Sequence, residues 1–184
     1  MSDQLLDYRL LRKDDIRVGC IRLEENHTHA YEHEQTYGLL DRMLKECFGL
    51  SLEQMEIRKK DGGKPYFVHS DIRFNLSHCR GMAVCALSQS YDLGIDVERI
   101  RPWRENVAKR VFSKEELAQL KQASDKDEYF FRVWTFKESY VKLSGDGIKS
   151  LHLADYTKNG ENVWEYCVED PAGNFRICMQ ARKV

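Results

Sequence analysis

Two acidic residues, Asp96 and Glu98, stand two positions apart in the apolar segment 93–98 (LGIDVE). Apolar residues alternate with them, which is the period-2 pattern of a half-buried β-strand. Side chains two apart on a strand point to the same face, so we expect the two carboxylates to share a face, with Cα atoms about 6.5 Å apart. Carboxylates this close repel each other unless a cation lies between them or one is protonated. The pair therefore predicts a site for a hard cation such as Mg²⁺, which takes one or two protein carboxylates together with water and substrate phosphates.

A helix predicted over residues 125–144 carries a second set of reactive side chains. An Asp-x-x-Glu capping pattern opens this helix and a glycine ends it. Trp134, Glu138 and Lys142 recur every four residues and so form one stripe, with Lys137 alongside. A carboxylate and two ammonium groups interrupt a seam that a purely structural helix would keep apolar. Together with the strand carboxylates they suit a metal-bound diphosphate, because the metal and the lysines neutralise different phosphate oxygens.

The rest of the chain predicts an α+β fold that positions these two segments. Period-2 or continuous apolar patterns predict strands at residues 16–23, 55–58, 66–68, 72–76, 82–87, 93–98, 150–156, 163–168 and 175–181. Period-3.6 patterns and capping residues predict helices at 30–48, 105–112, 113–122 and 125–144. Turn residues are predicted at 159–160 and 170–174, whereas residues 1–15 carry no usable pattern. The order strand, helix, strands occurs twice, which predicts two similar halves, residues 1–90 and 91–184.

Composition limits the class of protein. The 184 residues include 29 basic and 30 acidic side chains, and a net charge of -1 excludes a broad nucleic-acid footprint. The sequence shows neither a charged-then-apolar leader nor an apolar run near 18 residues, so we expect a soluble, cytoplasmic protein. None of the six cysteines forms a C-x-x-C pair, which favours reduced, mostly buried thiols over a structural zinc site.

Ser77 and His78 are predicted in the loop between strands 72–76 and 82–87. Adjacent residues do not readily form the hydrogen bond of a nucleophile–base pair, and the G-x-S-x-G pattern is missing, which argues against nucleophilic catalysis. Two interpretations have equal weight from these residues alone: donors to a bound anion, or an ordinary satisfied loop. The glycine-rich turn at residues 62–65 (GGKP) is by itself typical of an ordinary loop.

Two other clusters of polar residues are interpreted as solvated. His27, His29 and His33 precede or open the predicted helix at 30–48, but their spacing matches no familiar metal site. We therefore predict a solvated start of a helix there. The basic segment 99–104 (RIRPWR) could bind an anion or dock a partner, although a solvated loop is the more common role of such a segment.

Four motifs occur in order along the chain, at residues 62–65 (GGKP), 75–78 (NLSH), 94–98 (GIDVE) and 134–142 (WTFKESYVK). In this combination the chain resembles the 4′-phosphopantetheinyl transferases, and specifically the surfactin-synthetase-activating (group II) type. The resemblance implies Mg²⁺-dependent transfer of the phosphopantetheine arm of coenzyme A to a serine of an apo acyl, peptidyl or aryl carrier protein, with release of adenosine 3′,5′-bisphosphate. It also implies a monomer with a pseudo-twofold fold of two α/β halves and an active site in the cleft between them.

The resemblance implies roles for individual residues. Asp96, Glu98 and Glu138 would hold Mg²⁺, and a water would fill the position that Val97 cannot ligate. Glu138, directly or through a water, would be the base for the carrier serine, while Lys142 and His78 would complete the catalytic set. The residues that would bind coenzyme A are Gly63, Lys64, Pro65, Ser77, His78, Lys137 and Lys142.

Two rival functions use the same residues. A Mg²⁺-dependent hydrolase of a nucleotide diphosphate would use water as the nucleophile and needs no carrier protein. A protein that only binds coenzyme A or a carrier protein would have no need of the full set of carboxylates and lysines, all of which are present. Contacts to an acidic carrier protein are predicted at Arg99, Arg101 and Arg104, where they would act mainly on the association rate.

Overall fold

The computed structural model describes residues 9–24, 28–158, 162–171 and 173–184. Its strands are β1 (Arg9–Lys13), β2 (Ile16–Arg22), β3 (Ile57–Lys59), β4 (Pro65–Phe67), β5 (Arg73–Cys79), β6 (Met82–Ser88), β7 (Tyr91–Arg99), β8 (Val163–Val168) and β9 (Phe175–Lys183). Its α-helices are α1 (His29–Phe48), α2 (Glu105–Val111), α3 (Lys114–Gln122) and α4 (Lys126–Ser144). The mixture of helices with antiparallel sheets confirms the predicted α+β class.

Two antiparallel sheets carry the motifs. One has the strand order β1-β2-β6-β5, and the other has the order β7-β9-β8; β3 and β4 form a separate ribbon. Helix α1 packs on β2, β5 and β6, whereas α4 packs on β7 and β9. Strands β5 and β7 belong to different sheets but pack against each other, which brings the 75–78 and 94–98 motifs together.

Strand β7 is more deeply buried than its sequence predicts. All five residues of 93–97, Asp96 included, are buried, so the prediction of a half-buried strand is wrong. The reason is tertiary: α4 packs across β7, and both β5 and β6 pack beside it. The predicted continuous burial of β6 is confirmed, since every residue of Met82–Ser88 is buried.

Gly94 allows α4 to pack directly on the backbone of β7. A Cβ atom at this position would lie 2.0 Å from the carbonyl oxygen of Ser139 and 2.4 Å from the backbone nitrogen of Leu143. Both distances are far shorter than any real carbon contact, so only glycine fits. Because Glu138 and Lys142 flank these contacts on α4, Gly94 determines how closely their side chains approach the carboxylates of β7.

Replacing Gly94 by alanine should therefore force α4 away from β7. We expect the free energy of unfolding to fall by about 1–3 kcal/mol, the usual cost of overpacking. Urea denaturation followed by circular dichroism measures the change. Gly38→Ala is the matched control, because Gly38 is exposed in α1 and a Cβ added there would meet nothing within 4 Å. Alanine there should leave stability unchanged or raise it by up to about 1 kcal/mol; equal losses at both positions would contradict the packing argument.

Local sequence signals correctly predict both ends of α4. The Asp125 side chain accepts a hydrogen bond from the backbone N–H of Glu128 at the N-cap. Gly145 caps the C-terminus in the left-handed conformation with φ 79°. The capping box predicted for α3 is also present, between Ser113 and Glu116. These caps satisfy backbone groups that a helix leaves without partners at its ends.

Three predictions about the chain's other segments are corrected or limited. The strand predicted at 150–156 is wrong, because Ile148–Leu153 and Tyr156–Lys158 are 3₁₀ helices. Short apolar runs do not distinguish strand from helix by periodicity alone.

Residues 9–13, which were predicted to carry no usable pattern, form β1 and pair antiparallel with β2. This strand lies at the edge of its sheet, where charged residues are common. The predicted turn at 159–160 lies outside the described residues, whereas the turn at 170–174 is confirmed by a 2.9 Å hydrogen bond from Gly173 N–H to Asp170 C=O.

The cysteines are less buried than the sequence predicts. No disulfide joins the six cysteines, all of which lie in the described residues, but only Cys85 and Cys178 are buried. Cys167 is exposed because it lies in β8, the edge strand of its sheet, so the prediction of mostly buried thiols is wrong. Burial raises the pKa of the Cys178 thiol to about 12. Among the described helices, none combines the length and the apolar character that a bilayer crossing requires.

Candidate active site

Asp96 forms the centre of the site. Its Oδ1 accepts hydrogen bonds from Ser77 Oγ at 2.8 Å and from Lys142 Nζ at 2.7 Å. Lys142 Nζ also donates to Ser77 Oγ at 2.8 Å, and Ser77 Oγ accepts the backbone N–H of Val97 at 3.3 Å. Residues from β5, β7 and α4 are thus joined in one polar network around Asp96, a residue that is only 5% exposed.

The second carboxylate oxygen of Asp96 is available as a ligand for a cation. Asp96 Oδ2 is buried, and within the described residues it forms no hydrogen bond. A buried carboxylate oxygen without a donor is costly, so such atoms usually have a partner that coordinates them. An oxygen donor held rigid in a group of carboxylates is the kind of ligand that Mg²⁺ prefers. The donor set therefore fits the metal that the sequence predicts.

Glu98 and Glu138 share the electrostatic environment of Asp96. Burial raises the pKa of Glu138 to about 7, and the negative charges of Asp96 and Glu98 add to the effect while Lys142 opposes it. The pKa of Glu98 is also raised, chiefly by burial, although Arg101 opposes the rise. Arg101 Nη1 donates to Glu98 Oε2 at 2.9 Å. Among the described residues these three carboxylates are not within 4.8 Å of one another, so they face one region without forming a closed cluster.

The raised pKa of Glu138 predicts a particular dependence of stability on pH. The folded protein keeps this proton up to about pH 7, whereas the unfolded chain loses it near the ordinary value of 4.5. The folded state binds more protons between these values, so this contribution to stability is present at low pH and is lost as pH rises through about 7.

Urea denaturation in metal-free buffer at a series of pH values, compared between the native protein and Glu138→Gln, measures this contribution. We expect the native protein to lose stability relative to the variant between about pH 5 and pH 8. Added Mg²⁺ should stabilise the native protein mainly at the upper end of this range, where the carboxylate is ionised. Parallel stability profiles would contradict the assignment.

The side chain of Lys64 joins strand β7 to the end of helix α4 by hydrogen bonds to their backbone carbonyls. Its Nζ donates to the carbonyl of Leu93 at 2.8 Å and to the carbonyl of Leu143 at 3.1 Å. Burial lowers the pKa of Lys64 to about 8. The ammonium thus joins the start of the 93–98 segment to the end of α4, a role that the sequence does not predict.

A pocket beside Lys64 combines three of the four motifs. A Cβ on Gly62 would lie 1.7 Å from the carbonyl oxygen of Gly145, so the glycine turn packs on the backbone that ends α4. The pocket between them is lined by the turn, by β5 and by the end of α4, namely Gly62, Gly63, Lys64, Pro65, Asn75, Leu76, Val141, Lys142, Gly145 and Gly147. Loop, strand and helix thereby line one cleft.

Ser77 and His78 lie within β5, so their predicted position in a loop is wrong. The strand continues to Cys79 because it pairs with β6 through a tight turn at Arg80 and Gly81, which has φ 98°. Successive side chains of a strand point to opposite faces. Accordingly, Ser77 contacts Asp96 of β7, whereas His78 lies against Glu32 of α1.

Lys137 lies apart from the site with which the sequence grouped it. Its side chain is 1% exposed, its Nζ lies 3.0 Å from Glu116 Oε2, and it also donates to the carbonyl of Ala154. Glu116 is fully buried and accepts the backbone N–H groups of Ser113 and Tyr156. The grouping is corrected because one helical step, about 100°, turns position 137 from the cleft toward α3 and the interior.

Sequence reasoning missed the association of His29 with Glu32 and His78. The ring centroids of His29 and His78 are 5.3 Å apart, and Nδ1 of His78 lies 3.3 Å from Oε2 of Glu32. The predicted helix start is confirmed, with His29 exposed and Thr28 as N-cap, and His33 stacks on Tyr37. His27 lies outside the described residues. The available signal was the i,i+3 spacing of His29 and Glu32, which places both on one helix face.

Comparison with known proteins identifies the family. The sequence pattern of the 4′-phosphopantetheinyl transferase superfamily matches residues 92–179 of this chain. The matched range includes Asp96, Glu98, Glu138 and Lys142. The 4′-phosphopantetheinyl transferase HetI of Nostoc sp. is 36% identical over 138 residues, covering 68% of this chain and 58% of HetI. The transferase Sfp of Bacillus subtilis is 35% identical over 137 residues, covering 72% of this chain and 60% of Sfp.

A third relative gives the same result. The transferase gsp of Aneurinibacillus migulanus is 37% identical over 112 residues, covering 60% of this chain and 46% of gsp. The chain thus spans about half to three fifths of the length of the curated relatives that it matches. By the matched motifs and by these relatives, the chain belongs to the 4′-phosphopantetheinyl transferase superfamily.

Proposed function

We propose that this protein transfers the 4′-phosphopantetheine group of coenzyme A to a serine of an apo carrier protein, in a Mg²⁺-dependent reaction. The observation that carries the proposal is the network of Asp96, Ser77 and Lys142: Asp96 Oδ1 accepts both hydrogen bonds, whereas Asp96 Oδ2 is buried and has no donor among the described residues. Phosphoryl transfer requires mainly positioning and charge neutralisation, and these residues supply both.

The proposed reaction exchanges one P–O bond for another. The serine hydroxyl of the carrier attacks the phosphorus that bears the pantetheine, and the bond to the bridging oxygen of the diphosphate breaks. Adenosine 3′,5′-bisphosphate leaves with the bonding electrons. Mg²⁺ held by Asp96, Glu98 and Glu138 would neutralise charge on the diphosphate.

Two side chains have roles in proton and charge transfer. Glu138 is the proposed acceptor of the serine proton, directly or through a water. Burial raises its pKa to about 7 in the metal-free protein, and bound Mg²⁺ would favour the ionised carboxylate that accepts a proton. The ammonium of Lys142 is the proposed partner of the diphosphate oxygens, because it already lies at the centre of the carboxylate site.

Coenzyme A is proposed to bind in the cleft beside Lys64. The pocket lined by the glycine turn, β5 and the end of α4 supports this placement, because it adjoins Lys142. We assign Gly63, Lys64 and Pro65 to the nucleotide, and Ser77 and His78, from the two opposite faces of β5, to its phosphates. In the same proposal, residues 1–90 and 91–184 are the two halves, related by a pseudo-twofold axis, that border the cleft.

The proposed protein partner is an acyl or peptidyl carrier protein. A second pocket, next to Glu98, combines apolar side chains with two arginines and is lined by Glu98, Arg101, Pro102, Trp103, Arg104, Val107, Phe130, Phe131 and Trp134. Carrier proteins that are acidic near their serine would be steered toward Arg101 and Arg104.

Action as a cytoplasmic monomer belongs to the same proposal. The six cysteines without a disulfide support a reducing compartment, and the resemblance to single-chain transferases supports the monomer.

Intact-mass spectrometry tests the reaction. The protein is mixed with coenzyme A, Mg²⁺ and a panel of apo carrier proteins of fatty-acid, polyketide and peptide type, with a parallel series in EDTA. A Mg²⁺-dependent mass gain of one phosphopantetheine arm on a carrier serine is the expected result. Cleavage of coenzyme A without any modified carrier would favour the hydrolase instead. Intact but bound coenzyme A, with every carrier unmodified, would favour a binding protein.

A further inference from the structure

Three potential metal ligands meet between helix α1 and strand β5. They are the imidazoles of His29 and His78 and the carboxylate of Glu32, and one ligand atom from each lies within 4.8 Å of the others. His29 and Glu32 are three residues apart in α1, whose first turn is held by the Thr28 N-cap. His78 is fixed independently, by the pairing of β5 with β6. A helix and a strand, each held by its own hydrogen bonds, therefore present the cluster.

The separation of Glu32 and His78 matches that of two ligands on one metal ion. Zinc is bound by histidine nitrogen and carboxylate oxygen at about 2.0–2.1 Å, which places two tetrahedral ligands about 3.3 Å apart. The observed distance from His78 Nδ1 to Glu32 Oε2 is 3.3 Å. The ligand nitrogen of His29 lies within 4.8 Å of the other two ligand atoms. Because His29 is exposed at the start of the helix, rotation of its side chain can bring this nitrogen to the same metal ion.

The Nδ1 atom of His78 has no hydrogen-bond partner among the described residues. The atom is buried, and it forms no hydrogen bond within the described part of the chain, since its approach to Glu32 does not meet hydrogen-bond geometry. Buried polar atoms without a partner are uncommon and call for an unseen water or ion. A metal ion at the centre of the cluster would satisfy this nitrogen.

We propose that His29, Glu32 and His78 form a site for a divalent transition-metal ion, best suited to Zn²⁺, with a fourth coordination position left for water or another ligand. Two nitrogens and one carboxylate are the donor set of known three-ligand zinc sites. The site differs in kind from the oxygen-only carboxylates around Asp96, because nitrogen ligands select transition metals over Mg²⁺. Coordination through Nδ1 leaves Nε2 of His78 for the phosphate contact proposed above, so this proposal stands whether or not the chain transfers phosphopantetheine.

A metal at this position would tie the start of α1 to β5. Because the ion binds the folded protein only, it should raise the apparent thermal stability in proportion to the logarithm of its free concentration. The effect provides a readout that is independent of enzymatic activity and of coenzyme A.

The test is a Zn²⁺ titration of the metal-free protein in competition with a chromophoric chelator, with excess Mg²⁺ present to occupy the carboxylate site. Thermal melts and Co²⁺ absorption spectra are recorded in parallel. The variants are His29→Ala, Glu32→Gln and His78→Gln, each checked for folding by circular dichroism. His152→Ala is the matched control, because His152 is likewise exposed but lies on a 3₁₀ helix outside the cluster.

We expect one Zn²⁺ per chain, a rise in melting temperature with Zn²⁺, and a tetrahedral Co²⁺ spectrum without thiolate bands. Each cluster variant should lose at least about tenfold in affinity, the smallest loss expected even for outer-shell changes. His152→Ala should bind as the native protein does. Binding that is weak and non-stoichiometric, unchanged in the cluster variants, or marked by thiolate bands would overturn the proposal. If one variant does not fold, the Zn²⁺ affinities of the other two decide the outcome.

Discussion

Replacing Glu138 by glutamine is expected to lower the rate of the proposed phosphopantetheine transfer by at least about 100-fold, the usual contribution of a general base. The amide has nearly the same shape, but it would neither accept the serine proton nor offer an anionic oxygen to Mg²⁺ in the roles proposed for Glu138. The fold should persist, because the variant removes a carboxylate whose pKa is raised to about 7 by burial and by the charge of Asp96. Time-resolved mass spectrometry of the carrier protein measures the rate.

The control for this variant is Glu115→Gln, which makes the same chemical change at an exposed position of α3. It should transfer at the native rate. A Mg²⁺ titration of both variants separates the two roles, because loss of the metal ligand weakens Mg²⁺ binding whereas loss of the base alone does not. Native-like transfer by a folded Glu138→Gln protein would remove Glu138 from both roles.

The second large effect is structural. Lys137→Met should lower the free energy of unfolding by about 3–5 kcal/mol, because it leaves the buried carboxylate of Glu116 without its counter-charge. Methionine keeps most of the aliphatic volume, so the loss reports the charge rather than a cavity. Glu116 is 0% exposed and Lys137 is 1% exposed, so water does not replace the missing partner. Urea denaturation measures the loss.

Two further variants make this measurement specific. Lys121→Met, at an exposed position of α3, should change stability by no more than about 0.5 kcal/mol. Lys137→Met combined with Glu116→Gln should recover part of the loss, since the remaining group is neutral. The KM for coenzyme A should stay unchanged in the folded variant. A stable Lys137→Met protein with a raised KM would return Lys137 to the coenzyme A site.

Only the tertiary structure could decide which lysine faces the cleft. Lys137 and Lys142 both belong to the 134–142 motif, and the spacing of residues on a helix leaves both near the same stripe. Lys142 reaches Asp96 at 2.7 Å, whereas Lys137 pairs with Glu116 of α3. The difference depends on where α3 and β7 lie around α4, and no local pattern contains that information.

The sequence by itself determined the features whose causes are local. Asp125 and Gly145 cap α4, alternation marks β7, and the four motifs in order identify the superfamily, because each depends on neighbouring residues or on a fixed spacing. Features that depend on contact between distant segments were decided by tertiary structure alone. Packing against α4 requires Gly94, and β7 is buried on both sides because β5 lies beside it. His78 meets Glu32 only because α1 packs on β5, 46 residues further along the chain by their numbering.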